Sequence, residues 1–410
     1  MRKLRVFWSS NSMWSDSGYG SAMQDLLPKI RDLGYPTAIS NFYGQAGKPF
    51  EFPYECKHGD RIENPLAGIR QYPIINHAFG SDAALWHSKD FKADVVFALQ
   101  DIWPLNPADI SQLTRFIPWT PIDHDPVPAG TLANLRFANR IIAMSKFGQQ
   151  QLADNGFSSI YIPHMVDTKI FKPMNVQEIK QKRGIAPDVY VFGMVAANKD
   201  NPPRKSFQEV LEAFKAFLQK VPKAMLYIHT DPHFPGGFPI DVYAKSLGIQ
   251  NHVFFPGLDF PQIYPFKYNT GKKEMSEIFN TFDCLLAPST SEGFGVPIIE
   301  AQACGIPVIA SDWVAMKELV PDAFRVTPSG LKWTSMQSYA ATPSVDDIYN
   351  KMMQVYQFTP RKQLKDNAHK FAQQYDLDTV FKNSWVPLLE SLEREIYPEE
   401  PIDKKPEVKA

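Results

Sequence analysis

The chain has 410 residues, 44% of them hydrophobic and 21% charged, which is the balance of a water-soluble globular protein long enough for two separate cores. A formal net charge of −1 leaves no bulk attraction to nucleic acid or to anionic lipid. Three cysteines, Cys56, Cys284 and Cys304, are an odd number; the last two fall in apolar runs, so buried free thiols in a reducing, cytoplasmic setting are expected.

The first ten residues have a basic start and a short apolar run, the pattern of a first strand and not of a signal peptide. No apolar stretch is long enough to span a bilayer. Strands are expected at 4–9, 37–40, 95–99, 116–122, 141–144 and 160–162, with helices at 22–33 and 147–155. This alternation is the rhythm of a parallel sheet covered by helices. Residues 42–73, rich in Gly, Pro and aromatics, interrupt it and read as an insertion. A polar connector at 167–187, with several Lys and two Pro, is the expected domain boundary.

The rhythm restarts with strands at 189–195, 225–229, 253–255, 284–287, 308–310 and 324–326, and an amphipathic helix at 207–218. Helices at 360–375 and 378–392 close the chain, and the Pro/Glu/Lys-rich residues 398–410 read as a flexible, solvated tail. Two doubly wound α/β domains are therefore expected.

The most informative segment is 288–312. An apolar strand runs into Ser291-Glu292-Gly293-Phe294-Gly295-Val296-Pro297, and Pro297 suits the first position of a helix reaching about Cys304. Backbone N–H groups at Gly293, Phe294 and Gly295, with the helix dipole behind them, form an anion site for which phosphate is the natural guest. Glu300 is expected in the first helical turn, where a carboxylate accepts two hydrogen bonds from a cis-diol such as ribose. Glu292 lies just ahead of the loop.

The string Ser-x-x-Glu-Gly-Phe-Gly-x-Pro-x-x-Glu-Ala-x-Ala-x-Gly-x-Pro-Val, with its Glu-x7-Glu spacing, resembles the signature of family 4 retaining glycosyltransferases. The resemblance implies the GT-B fold, two Rossmann-like doubly wound domains facing across a cleft. It also implies an N-terminal acceptor domain over 1–172, completed by a C-terminal helix at about 377–397, and a donor domain over 173–376. In such enzymes Glu300 would hold the nucleotide ribose, Glu292 the donor sugar, and the segment Gly293, Phe294, Gly295 and Val296 the sugar and phosphate.

Expulsion of a diphosphate needs cations. Arg204 and Lys205 stand on a strand-to-helix loop at the carboxyl edge of the second sheet, where α/β proteins bind ligands. The family carries an Arg and a Lys there, which implies diphosphate contacts for both. Asn198 stands where the family often has a first Arg, so Lys205 is the stronger assignment of the two. In the first domain, Ser17-Gly18-Tyr19-Gly20-Ser21 opens a helix, and Gly18 and Gly20 would let backbone approach the donor. The strand at 116–122 ends in Asp123-His124-Asp125, and the family's His at this strand end implies His124 beside the donor sugar.

Competing readings remain. Asp123-x-Asp125 could hold a divalent metal, as in single-domain glycosyltransferases, although Arg204 and Lys205 already supply the charge; no metal or other cofactor is expected. His229, Asp231 and His233 read as loop contacts more readily than as a zinc site. A nicotinamide site fails on both its glycine pattern and its ribose acid. The expected partner is a nucleotide diphosphate sugar. Base selection is expected around 255–258. The acceptor is a glycan, glycolipid or other hydroxyl, with a modified DNA base or a catalytically silent nucleotide- or glycan-binding protein as alternatives. Arg136, Arg140 and Lys146 do not form the stripe that nucleic acid requires.

Overall fold

The computed structural model describes residues 2–15, 17–51, 65–256 and 271–398. Residues 52–64 of the inserted segment, with Cys56, residues 257–258 and the tail from 399 lie outside the described residues.

A seven-stranded parallel sheet forms the first layer system. Its strands are β1 (Val6–Asn11), β2 (Thr37–Tyr43), β3 (Arg70–Tyr72), β4 (Val95–Leu99), β5 (Phe116–Thr120), β6 (Ile142–Ala143) and β7 (Ile160–Tyr161). Their order is β3-β2-β1-β4-β5-β6-β7. All of β4 and β5 is buried, as expected of parallel strands covered on both faces. The inserted segment corrects one expectation: its end returns to the sheet as edge strand β3, pairing Ala38 with Arg70 and Ile39 with Gln71.

The second sheet has six strands, β8 (Val191–Val195), β9 (Met225–His229), β10 (Val253–Phe254), β11 (Cys284–Ala287), β12 (Val308–Ser311) and β13 (Arg325–Val326), in the order β10-β9-β8-β11-β12-β13. Helix Phe207–Leu218 buries Phe207, Val210, Leu211, Phe214 and Phe217 on this sheet, spacing that puts all five on one face. Full burial of each such side chain is worth roughly 1.5–3 kcal/mol. Cys284 and Cys304 are buried free thiols.

Two features depart from expectation. The connector is not merely polar: it folds into helix Val176–Lys182, and the buried Lys180 pairs with Asp283 at 2.9 Å. Beyond β13 the chain forms an antiparallel hairpin, β14 (Pro328–Trp333) and β15 (Tyr339–Pro343), which joins neither sheet. The closing segment Leu377–Val380, a π-helical turn Phe381–Trp385 and helix Val386–Ile396 fold back on the first sheet. Trp385 is fully buried against Trp119 (5.0 Å between rings) and Trp8 (5.6 Å), while Glu393 accepts from Lys3 and from the Tyr35 hydroxyl.

Both sheets reverse direction at a single crevice. In the first it lies between β1 and β4; in the second it lies between β8 and β11. Ligands of open α/β sheets bind outside the carboxyl ends of the strands at such points. The two crevices face each other.

Candidate active site

In the second domain the loop after β8 and the loop after β11 are tied together: the Thr290 N–H donates to the Arg204 carbonyl at 2.8 Å, and the Arg204 guanidinium donates to the Ser291 carbonyl. Arg204 and Lys205 both pair with the Glu292 carboxylate, Arg204 at 3.1 Å. Burial would raise the Glu292 pKa, but Arg204 and Lys205 outweigh it and hold the carboxyl at about 2. The Lys205 ammonium is pushed down by burial and by Arg204, with Glu292 opposing. One carboxylate shared by two cations leaves positive charge beside the start of helix Val296–Ala303.

Gly295 is in the left-handed region at φ 118°, so this turn into the helix favours glycine. Gly293 is required for a different reason. A Cβ there would stand 2.2 Å from the Cβ of Pro121 in the first domain, so this glycine permits contact between domains. Phe294 is buried between His164 (5.4 Å between rings) and Tyr375 (5.6 Å). Its side chain anchors the loop, leaving only its backbone to the cleft. Glu300 is corrected by one turn: the helix starts at Val296, so Glu300 falls in the second turn, not the first. Burial pushes its carboxyl up to about 7, with Lys272 pulling down and Asp25 adding to the rise.

Across the cleft, His124 Nδ1 lies 2.7 Å from Asp123 Oδ1, and the Ser291 hydroxyl donates to the Asp123 carbonyl. The His124 pair and the Glu292 cluster thus meet through Asp123 and Ser291. In the loop after β1, Ser17 caps helix Gly18–Asp32 by accepting from the Gly20 N–H at 3.0 Å. A Cβ on Gly20 would lie 2.5 Å from the Ser15 carbonyl, whereas a Cβ on Gly18 would meet nothing within 4 Å. Gly20 is therefore fixed by packing of its own loop, and Gly18 faces open space.

Several cleft residues carry no motif. Asp101, two residues beyond β4, is pushed up to about 6 by burial and by Asp123, with Arg204 and His124 opposing. Burial raises the Tyr19 phenol, and the Asp101, Asp123 and Glu292 carboxylates reinforce this while Arg204 opposes it. Lys272 pairs with Asp25 between the domains, next to Glu300. The usable signal for Asp101 was its place directly after a wholly apolar strand; Lys272 and Asp25, far apart in sequence, gave none.

Asn198 is buried, donates to the carbonyls of Asp231 (3.2 Å) and Phe238 (2.9 Å), and accepts from the Phe238 N–H. It ties its loop in place where a cation would otherwise project. His229 contacts the Tyr227 hydroxyl at 3.1 Å, His233 faces Asp241 at 3.7 Å, and among the described residues no group of three such side chains could hold a metal ion. Of the sequence's basic cluster, Arg140 pairs with Glu395, while Lys146 and Phe147 give their backbone N–H groups to Glu318.

A cavity of about 20 Å³ lies among Met194, Lys205, Leu286, Ser289, Glu292 and Pro297, room for about one water. A larger open groove of about 490 Å³ runs beside helix Lys146–Asp154, at Gln149, Gln150 and Tyr161, and none of the cleft's paired charges lines it.

Residues 175–371 match the family of glycosyl transferases group 1. The second domain carries this group 1 region. A D-inositol 3-phosphate glycosyltransferase of Actinosynnema mirum is 28% identical over 186 residues, which are 42% of this chain and 41% of that one. The chain thus spans well under half the length of that curated relative. An uncharacterized glycosyltransferase of Sulfolobus islandicus rod-shaped virus 1 is 22% identical over 258 residues, 59% of this chain and 70% of that one. HepE from Anabaena, solved with UDP and glucose, superposes with a TM-score of 0.68 at 18% identity, covering 95% of this chain and 100% of that one. The fold is GT-B: two Rossmann-like domains facing across a cleft.

Proposed function

We propose that the protein is a glycosyltransferase that moves a sugar from a nucleoside diphosphate sugar to an acceptor hydroxyl, with retention at the anomeric carbon. The observation that carries this is the convergence of Arg204, Lys205 and Glu292 at the β8/β11 crevice, directly opposite Asp123 and His124. The group 1 match of the second domain supports it, as does the likeness in fold to a protein solved with UDP and glucose.

In this reading Arg204 and Lys205 exchange part of their pairing with Glu292 for the donor diphosphate. The cavity of about 20 Å³ beside Lys205 and Glu292 is too small for a diphosphate, so these side chains would part to admit one. Glu300 accepts from the ribose hydroxyls, Glu292 turns to the sugar, and the backbone from Gly293 to Val296 faces sugar and phosphate. The bond from the anomeric carbon to the diphosphate oxygen breaks while the bond to the acceptor oxygen forms on the same face. The acceptor proton passes to the departing diphosphate oxygen, whose charge Arg204 and Lys205 stabilise. His124, oriented by Asp123, donates to the sugar hydroxyls. Because two side-chain cations meet the leaving group, the reaction is proposed to run without a metal.

A panel of UDP-, GDP-, ADP- and TDP-sugars, scored by thermal shift and by donor hydrolysis with and without EDTA, tests this reading. One nucleotide sugar should stabilise the protein and be hydrolysed slowly, with no loss in EDTA. Stabilisation without turnover of any donor would favour a binding protein. Transfer that stops in EDTA would overturn metal independence, and an inverted product anomer in NMR would overturn retention.

A further inference from the structure

Two exposed aromatic pairs, Phe79–Trp103 from the first domain and Trp333–Tyr339 from the second, have no role in the site described above. Tyr339 and Trp333 form a cross-strand pair of β14–β15, with ring centroids 4.8 Å apart, and both are exposed. They share a hairpin face with Ala341, because side chains alternate along a strand. Ala341 is buried and its N–H donates to the Thr290 carbonyl, which seats the edge of β15 against the loop after β11. The Tyr339 N–H donates to the Asp125 carbonyl at 2.9 Å, immediately beside His124.

From Asp125 the chain leads to Gly130, whose Cβ position lies 3.4 Å from Trp103. Five residues of chain span at most about 18 Å. Trp103 is 42% exposed and stands 6.1 Å from the ring of Phe79, itself 38% exposed. Two residues before Trp103 is Asp101, which has no hydrogen bond or ion pair to another side chain among the described residues. The segment 123–130 thus touches the strand of one exposed aromatic pair at Asp125 and the tryptophan of the other at Gly130, and it carries Asp123, His124 and Asp125.

On the glycosyltransferase reading, we propose that this rim is the acceptor site and that it takes a neutral oligosaccharide chain, stacked on Trp103 and Trp333, with its reacting hydroxyl near Asp101 and His124. Aromatic faces meet the C–H faces of sugar rings over a large area with little conformational cost. Carboxylates accept hydrogen bonds from hydroxyls. Three aspartates at the foot of the rim would repel phosphate headgroups, which argues against a lipid surface as the occupant.

The test uses the full chain and two separate titrations. Maltotriose, cellotriose and mannotriose are the acceptor probes, followed by tryptophan fluorescence and saturation-transfer NMR; UDP and GDP are the donor probes. At least one trisaccharide should bind, and W103A and W333A should each weaken it tenfold or more without changing nucleotide affinity or Tm. W86A, which removes an exposed tryptophan elsewhere on helix Ser81–Asp90, should change neither. Binding of no trisaccharide, equal binding by the rim variants, or loss in these variants of binding to phosphatidylglycerol vesicles instead would overturn the proposal. Failure of wild-type protein to bind any nucleotide would count against the glycosyltransferase reading, whatever the trisaccharides do.

Discussion

The two walls of the cleft are built in opposite ways. The second-domain wall, to which the proposed function assigns the donor, is compact: Arg204 and Lys205 from one loop pair with Glu292 from another loop of the same sheet, at a helix start. The facing wall draws Tyr19, Asp101, Asp123 and His124 from three strand ends of the first sheet, and borrows Trp333 and Tyr339 from a hairpin of the second domain. On the proposed function a diphosphate is common to every donor, and fixed charges at fixed spacing would suit it. An acceptor is particular to each enzyme, and loops from several elements can be altered one at a time without disturbing the sheet.

Lys205→Ala breaks the donor wall most directly. It should cut kcat by about 2–4 kcal/mol of barrier if the ammonium meets the leaving group, measured at saturating donor; near-normal turnover would remove that role. Gly293→Ala tests whether the walls must touch. Its new methyl would collide with Pro121, and a loss of about 1–3 kcal/mol in urea unfolding is expected, together with loss of activity. Unchanged stability would mean that the domains part freely at this point.

A pH series separates the walls further. The folded pKa of Glu300 is raised by burial to about 7, so the folded state holds its proton after the unfolded chain has released it. This group therefore lowers stability as pH rises from about 4.5 to about 7, and Asp101 acts in the same direction up to about 6. Glu292 acts oppositely: its contribution is present above about 4.5 and is lost as pH falls toward about 2. Glu300→Gln should flatten the decline in Tm between pH 5 and pH 7. If Glu300 holds the ribose, the variant should also abolish a rise in nucleotide affinity near pH 7, where this carboxyl ionises. Calorimetry showing the same affinity and the same pH profile in the variant would remove the ribose assignment.

The smallest expected effect lies outside the chemistry. Glu318 of the second domain accepts from the Lys146 and Phe147 N–H groups and so caps a helix of the first. Glu318→Ala should cost about 1 kcal/mol, as helix caps do, with kcat per folded molecule retained. A fall in kcat at unchanged stability would show that this cap governs closure.

Local pattern foretold much of this. Expected strands 95–99, 225–229 and 284–287 and helix 207–218 coincide with the observed elements, because each is a strongly apolar run or has one clear apolar face. Strand β3 and helix Val176–Lys182 are short and polar, and they form only because a sheet edge or a buried partner such as Asp283 receives them. The same division holds in the site. Glu292, Gly295 and Pro297 are visible because a tight turn into a helix constrains neighbours along the chain. The contact of Gly293 with Pro121, the pairing of Lys272 with Asp25, and the raised pKa of Asp101 involve groups remote in sequence, and such contacts leave no spacing to read.

Hydrophobic periodicity and turn chemistry act over a few residues, and they suffice for two α/β domains and for one glycine turn into a helix. Which loops face each other, which carboxylates lose their water, and which aromatics line the mouth depend on how those domains pack. Desolvation and long-range contact exist only once the chain has closed on itself, and here they complete the cleft.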